Sequence, residues 1–275
     1  MPRIGTGLGL GLFRAAAAAS GYDADAQAFF DRVTTAGGSL STTEKNATNQ
    51  LVLDMKAAGI WSAMRAVYPM VGASAAACAQ NLKSASFTGS FSSGWTFAST
   101  GVTPNGTSAY MDTNLTPSVS LSANNINLSY YSRTNSAVGS STSMGADSFP
   151  NEYCRLIIRR TGDQGFNLIG NTTKGLSIFP VTDSRGLFMA NAPNSTTRDL
   201  YKNGSAVTPT SQSALGTNGL STTTIYIGAL HATAAAEFDN KECGFSSIGD
   251  GLTGTEASNF YTAVQAFQTT LSRQV

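Results

Sequence analysis

Between Ala85 and Ile248 the chain holds no single apolar periodicity for long; short β-type runs alternate with clusters of Asn, Gly, Ser and Thr. This rhythm restricts the fold more than any other feature, because strands so short are stable only when many of them share one packed core. The sharpest breaks are Asn105-Gly106, Asn203-Gly204 and Asn218-Gly219. Asn-Gly tolerates φ > 0 at both centre positions of a type I′ turn. With Tyr201 and Val207 on its two arms, Asn203-Gly204 therefore predicts a β-hairpin over Arg198–Val207. Strands are expected at Ser86–Phe91, Trp95–Ser99, Ala109–Thr113, Ile126–Arg133 and Tyr153–Arg160. Five more are expected at Phe166–Ile169, Leu187–Ala190, Asp199–Lys202, Ile225–Ile227 and Cys243–Ile248. This spacing argues for a mainly β protein, an antiparallel two-sheet jelly-roll sandwich, rather than βαβ units. Leu128, Tyr130 and Ser132 share one face of their strand, with Ser129, Tyr131 and Arg133 on the other. Trp95, Phe97, Tyr130, Phe188 and Ile227 are expected between the sheets.

Helical patterning is confined to the two ends. Ala26, Phe29, Phe30 and Val33 recur at i, i+3, i+4 and i+7 after Asp23 or Asp25, and Gly37-Gly38 ends that helix. Ser41-Thr-Thr-Glu44 is a capping box for a second helix with Ala47, Leu51, Met55 and Ala58 on one stripe. Ile60, Met64 and Val67 predict a third short helix that stops before Pro69. Near the C-terminus, Thr253-Gly-Thr-Glu256 caps a helix with Ala257, Phe260, Tyr261, Val264, Phe267 and Leu271 on one face. The expected organisation is an extended Gly/Ala-rich arm over 1–22, a small helical adapter over 23–72, and a jelly-roll with its closing helix over 73–275.

Only 12% of the residues are charged and the net charge is +1, so composition makes no case for nucleic acid or an anionic membrane as partner. No apolar run reaches the roughly 18–20 residues of a membrane-spanning helix. Cys78, Cys154 and Cys243 are odd in number and far apart, which reads as three small buried hydrophobes rather than a disulfide framework or a metal site. No metal or cofactor is expected. In the arm, glycine falls at 5, 7, 9 and 11, beside Ile4, Leu8, Leu10, Leu12 and Phe13. Arg14 interrupts what would have to be the apolar stretch of a secretory signal. The Gly-x-Gly series lacks the strand before it and the helix after it that a dinucleotide site needs. Too poor to fold alone, the arm is expected to be a partner anchor lying along another subunit.

Several segments carry a family likeness. They are Ile60-Trp61, Tyr68-Pro-Met-Val-Gly72, Asn81-Leu-Lys83, Ser93-Gly-Trp95, Leu128-Ser-Tyr-Tyr-Ser-Arg-Thr134, the Tyr201-Lys-Asn-Gly204 hairpin and Ser247-Ile-Gly-Asp-Gly-Leu252. Together they span most of residues 23–271 and resemble the laminin-G-like, concanavalin-A-like sandwich modules of tailed-phage virion proteins. The resemblance implies a structural protein of the virion, in the capsid or the tail. It implies a homo-oligomer held to other virion proteins, displaying a lectin-like sandwich for host-surface glycans. By the same analogy, the loops Asn135–Asn151 and Thr161–Gly165 are candidate glycan-binding loops, with Asp147, Asn151 and Asp163 as candidate residues.

Catalytic residues are not expected, and the chain is read as a protein without covalent chemistry. His231 is the sole histidine and reads as a loop residue with no nucleophile motif to serve. Glu237-Phe-Asp239-Asn-Lys-Glu242 resembles the Glu-x-Asp-x-x-Glu signature of family-16 glycoside hydrolases, in which two carboxylates stand about 5–5.5 Å apart. Here Asp239-Asn-Lys241 reads as a turn, and alanine fills 234–236 where a sugar cleft would want aromatic rings. Two alternatives follow. A secreted or cell-surface carbohydrate-binding module is favoured if the mature protein begins after Ala19, and a glycoside hydrolase if Glu237 and Glu242 line a cleft.

Overall fold

The computed structural model of the 275-residue chain describes residues 21–148, 152–169, 177–212 and 219–275. In chain order the elements begin with α1 (Ala24–Thr35), α2 (Thr42–Ala57), a 3-10 turn (Trp61–Ala63), β1 (Met64–Tyr68) and α3 (Ala75–Cys78). They continue with β2 (Ser90–Phe91), β3 (Trp95–Ala98), β4 (Gly101–Pro104), β5 (Met111–Asp112), α4 (Pro117–Ser120) and β6 (Ile126–Ser132). Next come β7 (Met144–Ser148), β8 (Glu152–Arg160), β9 (Gln164–Ile169), β10 (Ser177–Pro180), β11 (Gly186–Ala192), β12 (Asp199–Lys202) and β13 (Ser205–Val207). The chain closes with β14 (Tyr226–Ile227), β15 (Leu230–His231), β16 (Ala235–Ala236), β17 (Cys243–Gly249) and α5 (Gly254–Thr270).

The strands form two stacked sheets, the mainly β sandwich that the strand rhythm predicts. The first sheet runs β13-β12-β11-β6-β17-β4-β3, and β1 also pairs with β17. β1 and β4 lie end to end along one edge of β17, since Ser246–Gly249 pair with β1 and Cys243 with Val102 of β4. The second sheet runs β10-β9-β8-β7-β14-β5-β2, with β15 and β16 added at β7. Among the described strands, pairing is antiparallel except for the two-residue β15–β7 contact, and an isolated parallel bridge joins Val138 to Arg160 of β8. Between the sheets, alternate residues interdigitate: Leu128, Tyr130, Phe188 and Ile248 from one side meet Met144, Leu156, Ile169 and Ile227 from the other. Of the five expected core residues, Tyr130, Phe188 and Ile227 are fully buried, while Trp95 and Phe97 are partly buried against the same core.

Helices cover the outer face of the first sheet. Tyr131, Leu187, Met189 and Phe245 project there and join Phe29 of α1, Leu51 of α2, and Phe260 and Phe267 of α5 in a second core. The Phe245 ring lies 5.9 Å from Phe260 and 6.4 Å from Phe267. Both expected capping boxes form, Ser41 with Glu44 and Thr253 with Glu256. The Asn203-Gly204 turn has φ of +50° and +73°, as a type I′ hairpin requires. Its tip rests on α5, where a Cβ on Gly204 would come within 2.9 Å of the Tyr261 Cβ. Just beyond α5, Arg273 is 1% exposed and sits in a cage of carbonyls. It donates to Gln268 Oε1 at 2.6 Å, Met70 O at 2.7 Å, Pro69 O at 2.6 Å and Gly244 O at 2.7 Å. Burial draws the guanidinium down to about 10, which still leaves it charged at neutral pH.

Two sequence expectations are corrected here. The third helix is instead strand β1. Its pairing with β17 slips between Met64 and Ala66, so Met64 and Val67 both reach the helical core while Ala66 and Tyr68 face the sandwich core. A bulge therefore mimics the i, i+3 spacing of a helix. The excursion 135–151 is not wholly loop either, because Met144–Ser148 forms β7 in the middle of the second sheet.

Candidate functional site

The second sheet has no helical layer on its outer face among the described residues, and its chemistry is concentrated there. Register places Asp112, Tyr226, Gly145, Arg155 and Leu168 opposite one another in a single row across β5, β14, β7, β8 and β9. Residues opposite one another share a face, and neighbouring strands are about 4.8 Å apart, so Arg155 stands roughly 10 Å from Tyr226. Asp147 and Tyr153 form the next row on the same face. Ile157, Phe166 and Ile178 form another, one step further along the strands in the opposite direction.

Two clusters stand side by side on this face. In the first, Tyr226 is sandwiched between two rings: Tyr110 at 4.3 Å with planes 7° apart, and His231 at 4.0 Å with planes 14° apart. The Nδ1 of His231 lies 2.9 Å from the Thr224 carbonyl, which can only accept, so Nδ1 carries the proton in the neutral ring and Nε2 is left as an acceptor. Tyr110 and His231 are half-buried, whereas Tyr226 is 8% exposed. Burial, and next Asp112, push the Tyr226 phenol up to about 12, so it remains a neutral donor.

The second cluster is ionic. Arg155 donates Nε to Asp147 Oδ1 at 2.7 Å, reaches Asp147 Oδ2 with Nη2, and reaches Glu237 Oε2 with Nη1 at 3.1 Å. Arg160 donates Nη2 to the same Glu237 oxygen and Nε to the Ser141 carbonyl at 3.2 Å. The Thr142 hydroxyl donates to that oxygen too, at 2.6 Å. Burial lowers the Arg155 pKa, and Glu237 opposes the shift. The guanidiniums also lie over aromatic faces, Arg155 at 5.5 Å from Tyr153 and Arg160 at 5.5 Å from Phe166. Flat rings beside fixed donors and acceptors can hold a polyhydroxylated ligand by its C–H face and its hydroxyls together.

The candidate residues from the sequence fall as follows. Asp147 is in β7 rather than a loop, 7% exposed and paired with Arg155. Asp163 is in the β8–β9 turn with φ of +59°, held by Arg159 at 2.6 Å, and its carbonyl accepts the Val181 N–H. Asn151 and the arm residues Ile4, Leu8, Leu10, Leu12 and Phe13 lie outside the described residues. His231 is not a free loop residue but part of β15 and of the aromatic stack. Glu237 and Glu242 are not gathered into one cleft: Glu237 serves Arg155 and Arg160 on the second sheet, while Glu242 pairs with Arg133 at 2.8 Å beside the first. Between them, Asp239 and Lys241 form a buried ion pair.

Sequence reasoning missed the Tyr110–Tyr226–His231 stack and the Arg155–Glu237 bond, because their members are distant in the chain. One local signal was available, the charged Arg155 between inward-facing Cys154 and Leu156 in β8. On the helical side, a cavity of about 530 Å³ is lined largely by hydroxyls, including Ser39, Ser41, Ser99 and Thr270. Its one carboxylate, Glu44, is already used on the Ser41 cap and the Gly72 N–H. Among the described residues no group of three or more His, Cys, Asp or Glu side chains could hold a metal ion. No helix among them is long and apolar enough to cross a membrane.

No family model matches the chain, and no curated protein matches it. Solved structures do share its fold. Domain 4 of AbnA, a GH43 extracellular arabinanase from Geobacillus stearothermophilus in complex with arabinotriose, is similar at 11% identity and TM-score 0.54. That likeness covers 72% of this chain and 98% of the domain. A mutant of Trypanosoma rangeli sialidase displaying trans-sialidase activity is similar at 10% identity and TM-score 0.53, covering 80% of this chain and 39% of the sialidase. Trypanosoma rangeli sialidase in complex with sialic acid is similar at 9% identity and TM-score 0.50, covering 73% and 33%. The chain thus spans nearly the whole of the arabinanase domain but well under half of each sialidase. Likeness at such identity establishes a two-sheet β-sandwich fold and nothing more. The same likeness corrects the expectation of a chain without enzymatic chemistry: the fold is shared with parts of an arabinanase and of sialidases, and that exclusion does not stand.

Proposed function

We propose that this chain is a lectin-like display module of a tailed-phage particle that turns the outer face of its second sheet toward host-surface glycans. The observation that carries the glycan reading is the asymmetry of the sandwich. Helices occupy one outer face, while the other presents a half-exposed aromatic stack beside ion-paired arginines and carboxylates. Two fold neighbours were solved with saccharides, arabinotriose and sialic acid, which supports the same reading. Purified protein is expected to be retained on a glycan array. Tyr110→Ala and His231→Ala should each weaken retention about tenfold, the loss of one stacking contact of about 1.4 kcal/mol. Both residues are half-buried, so the melting temperature should move by no more than roughly 3 °C. Failure to retain any glycan would overturn the reading.

The virion placement rests on the resemblance of the segments between residues 23 and 271. In it, the arm residues Ile4, Leu8, Leu10, Leu12 and Phe13 hold a self-associated module to other virion proteins. Deleting residues 1–20 is expected to leave the melting temperature unchanged and to abolish incorporation into particles; full incorporation would sink the anchor. The near-complete cover of the arabinanase domain favours a second reading, a carbohydrate-binding module of a secreted or cell-surface protein. Antibody labelling of purified particles separates the two.

A further inference from the structure

We propose that the glycan taken by this face is uncharged, a neutral saccharide rather than a sialylated or sulfated one; the inference rests on the glycan reading above. The argument is electrostatic. Arg155 and Arg160 bring two positive charges to the outer face of the second sheet, and Asp112, Asp147 and Glu237 bring three negative ones. The face therefore carries an excess of one negative charge, with Asp112 directly opposite Tyr226 at the foot of the aromatic stack.

Neither guanidinium waits for an anion. Arg155 already spans both oxygens of Asp147 and touches Glu237, and Arg160 holds Glu237 and a backbone carbonyl. A ligand carboxylate or sulfate would have to displace a carboxylate that stays tethered nearby, leaving two like charges in a partly desolvated site. A sugar hydroxyl meets no such obstacle. It is donor and acceptor at once, so it can donate to a Glu237 or Asp147 oxygen and accept from an arginine N–H while the ion pairs persist. The ionic cluster then works as a pre-arranged comb of donors and acceptors rather than as an anion trap. Of the two saccharide chemistries seen with the fold neighbours, arabinotriose and not sialic acid is the kind this face accepts.

The test is an array of matched pairs probed with the full chain: lactose beside sialyllactose and sulfated lactose, with arabinotriose as a further neutral probe. Neutral members are expected to be retained about tenfold more strongly than their acidic counterparts, equivalent to about 1.4 kcal/mol. The double variant Asp112→Asn, Glu237→Gln changes the face from one excess negative to one excess positive charge, and should reverse the order. A melting curve checks that it folds, and the wild-type comparison stands without it. Equal or stronger retention of the acidic members by the wild type would overturn the proposal. Retention of no member at all would overturn the glycan reading itself, and this inference with it.

Discussion

Replacing Lys241 by methionine is expected to destabilise the protein by about 3–5 kcal/mol, read as a lowered urea midpoint. The Lys241 and Asp239 side chains are both 0% exposed, with Nζ 2.9 Å from Oδ1. The remaining contacts of the carboxylate are the Ser143 hydroxyl at 2.6 Å and the Asn240 N–H at 2.9 Å. Without the ammonium, a buried anion keeps only neutral donors. That penalty exceeds the value of the pair itself, because the pair also had to be desolvated. The double variant Asp239→Asn, Lys241→Met should therefore recover at least half of the loss. No recovery would mean that Lys241 acts through packing or through its 3.4 Å contact to the Arg159 carbonyl rather than through charge.

Arg273→Met is the second large effect, expected at about 4 kcal/mol and a fall in melting temperature of roughly 10 °C. Methionine fills the space of the stem but supplies no N–H. The Pro69 and Met70 carbonyls and the Gln268 amide oxygen then lose a charged donor, while the Gly244 carbonyl loses one and keeps the Gln268 Nε2–H at 3.1 Å. Unmet buried acceptors cost about 1–3 kcal/mol each, and the gain from no longer burying a cation offsets part of the sum. Arg273→Lys should recover only part of the loss, since an ammonium cannot span the planar fork. A fall of less than roughly 2 °C in calorimetry would show that water replaces the guanidinium.

The parts of the fold that were legible in the sequence are those encoded locally. The capping boxes at Ser41 and Thr253 and the Asn203-Gly204 turn each occupy a few consecutive residues, and each forms as read. β6 and β11 also form where their apolar runs place them, with Leu128 and Tyr130 facing the sandwich core and Tyr131 the helical one, whereas β17 carries a bulge between Cys243 and Phe245 that turns those two to opposite faces. What escaped is what depends on partners far away. β1 reads as a helix until its bulge against β17 is known. β7 reads as loop because Gly145 and Ala146 give no pattern, yet it is a central strand in which Thr142, Arg155 and Leu230 leave no room for a Cβ at Gly145. The candidate site was hidden for the same reason. Tyr110 and Tyr226 stack across more than a hundred residues of chain, and Glu237 gains its meaning only when Arg155 and Arg160 arrive from β8. Asp147 reads as a loop residue, and in the structure it is a counter-ion to Arg155 held in strand β7.

The pairing of β1 with β17 has a bearing on synthesis. Arg65 and Asp250, ion-paired at 2.8 Å where these strands meet, are 185 positions apart. A ribosome adding about 5–20 residues per second needs roughly 10–40 s to deliver the second after the first. Throughout that interval the apolar stripes of α1 and α2 have emerged, but the sheet and terminal helix that cover them have not. The nascent chain is thus the form most in need of a chaperone, and slowing translation downstream of residue 68 should lower the soluble yield without changing the finished molecule.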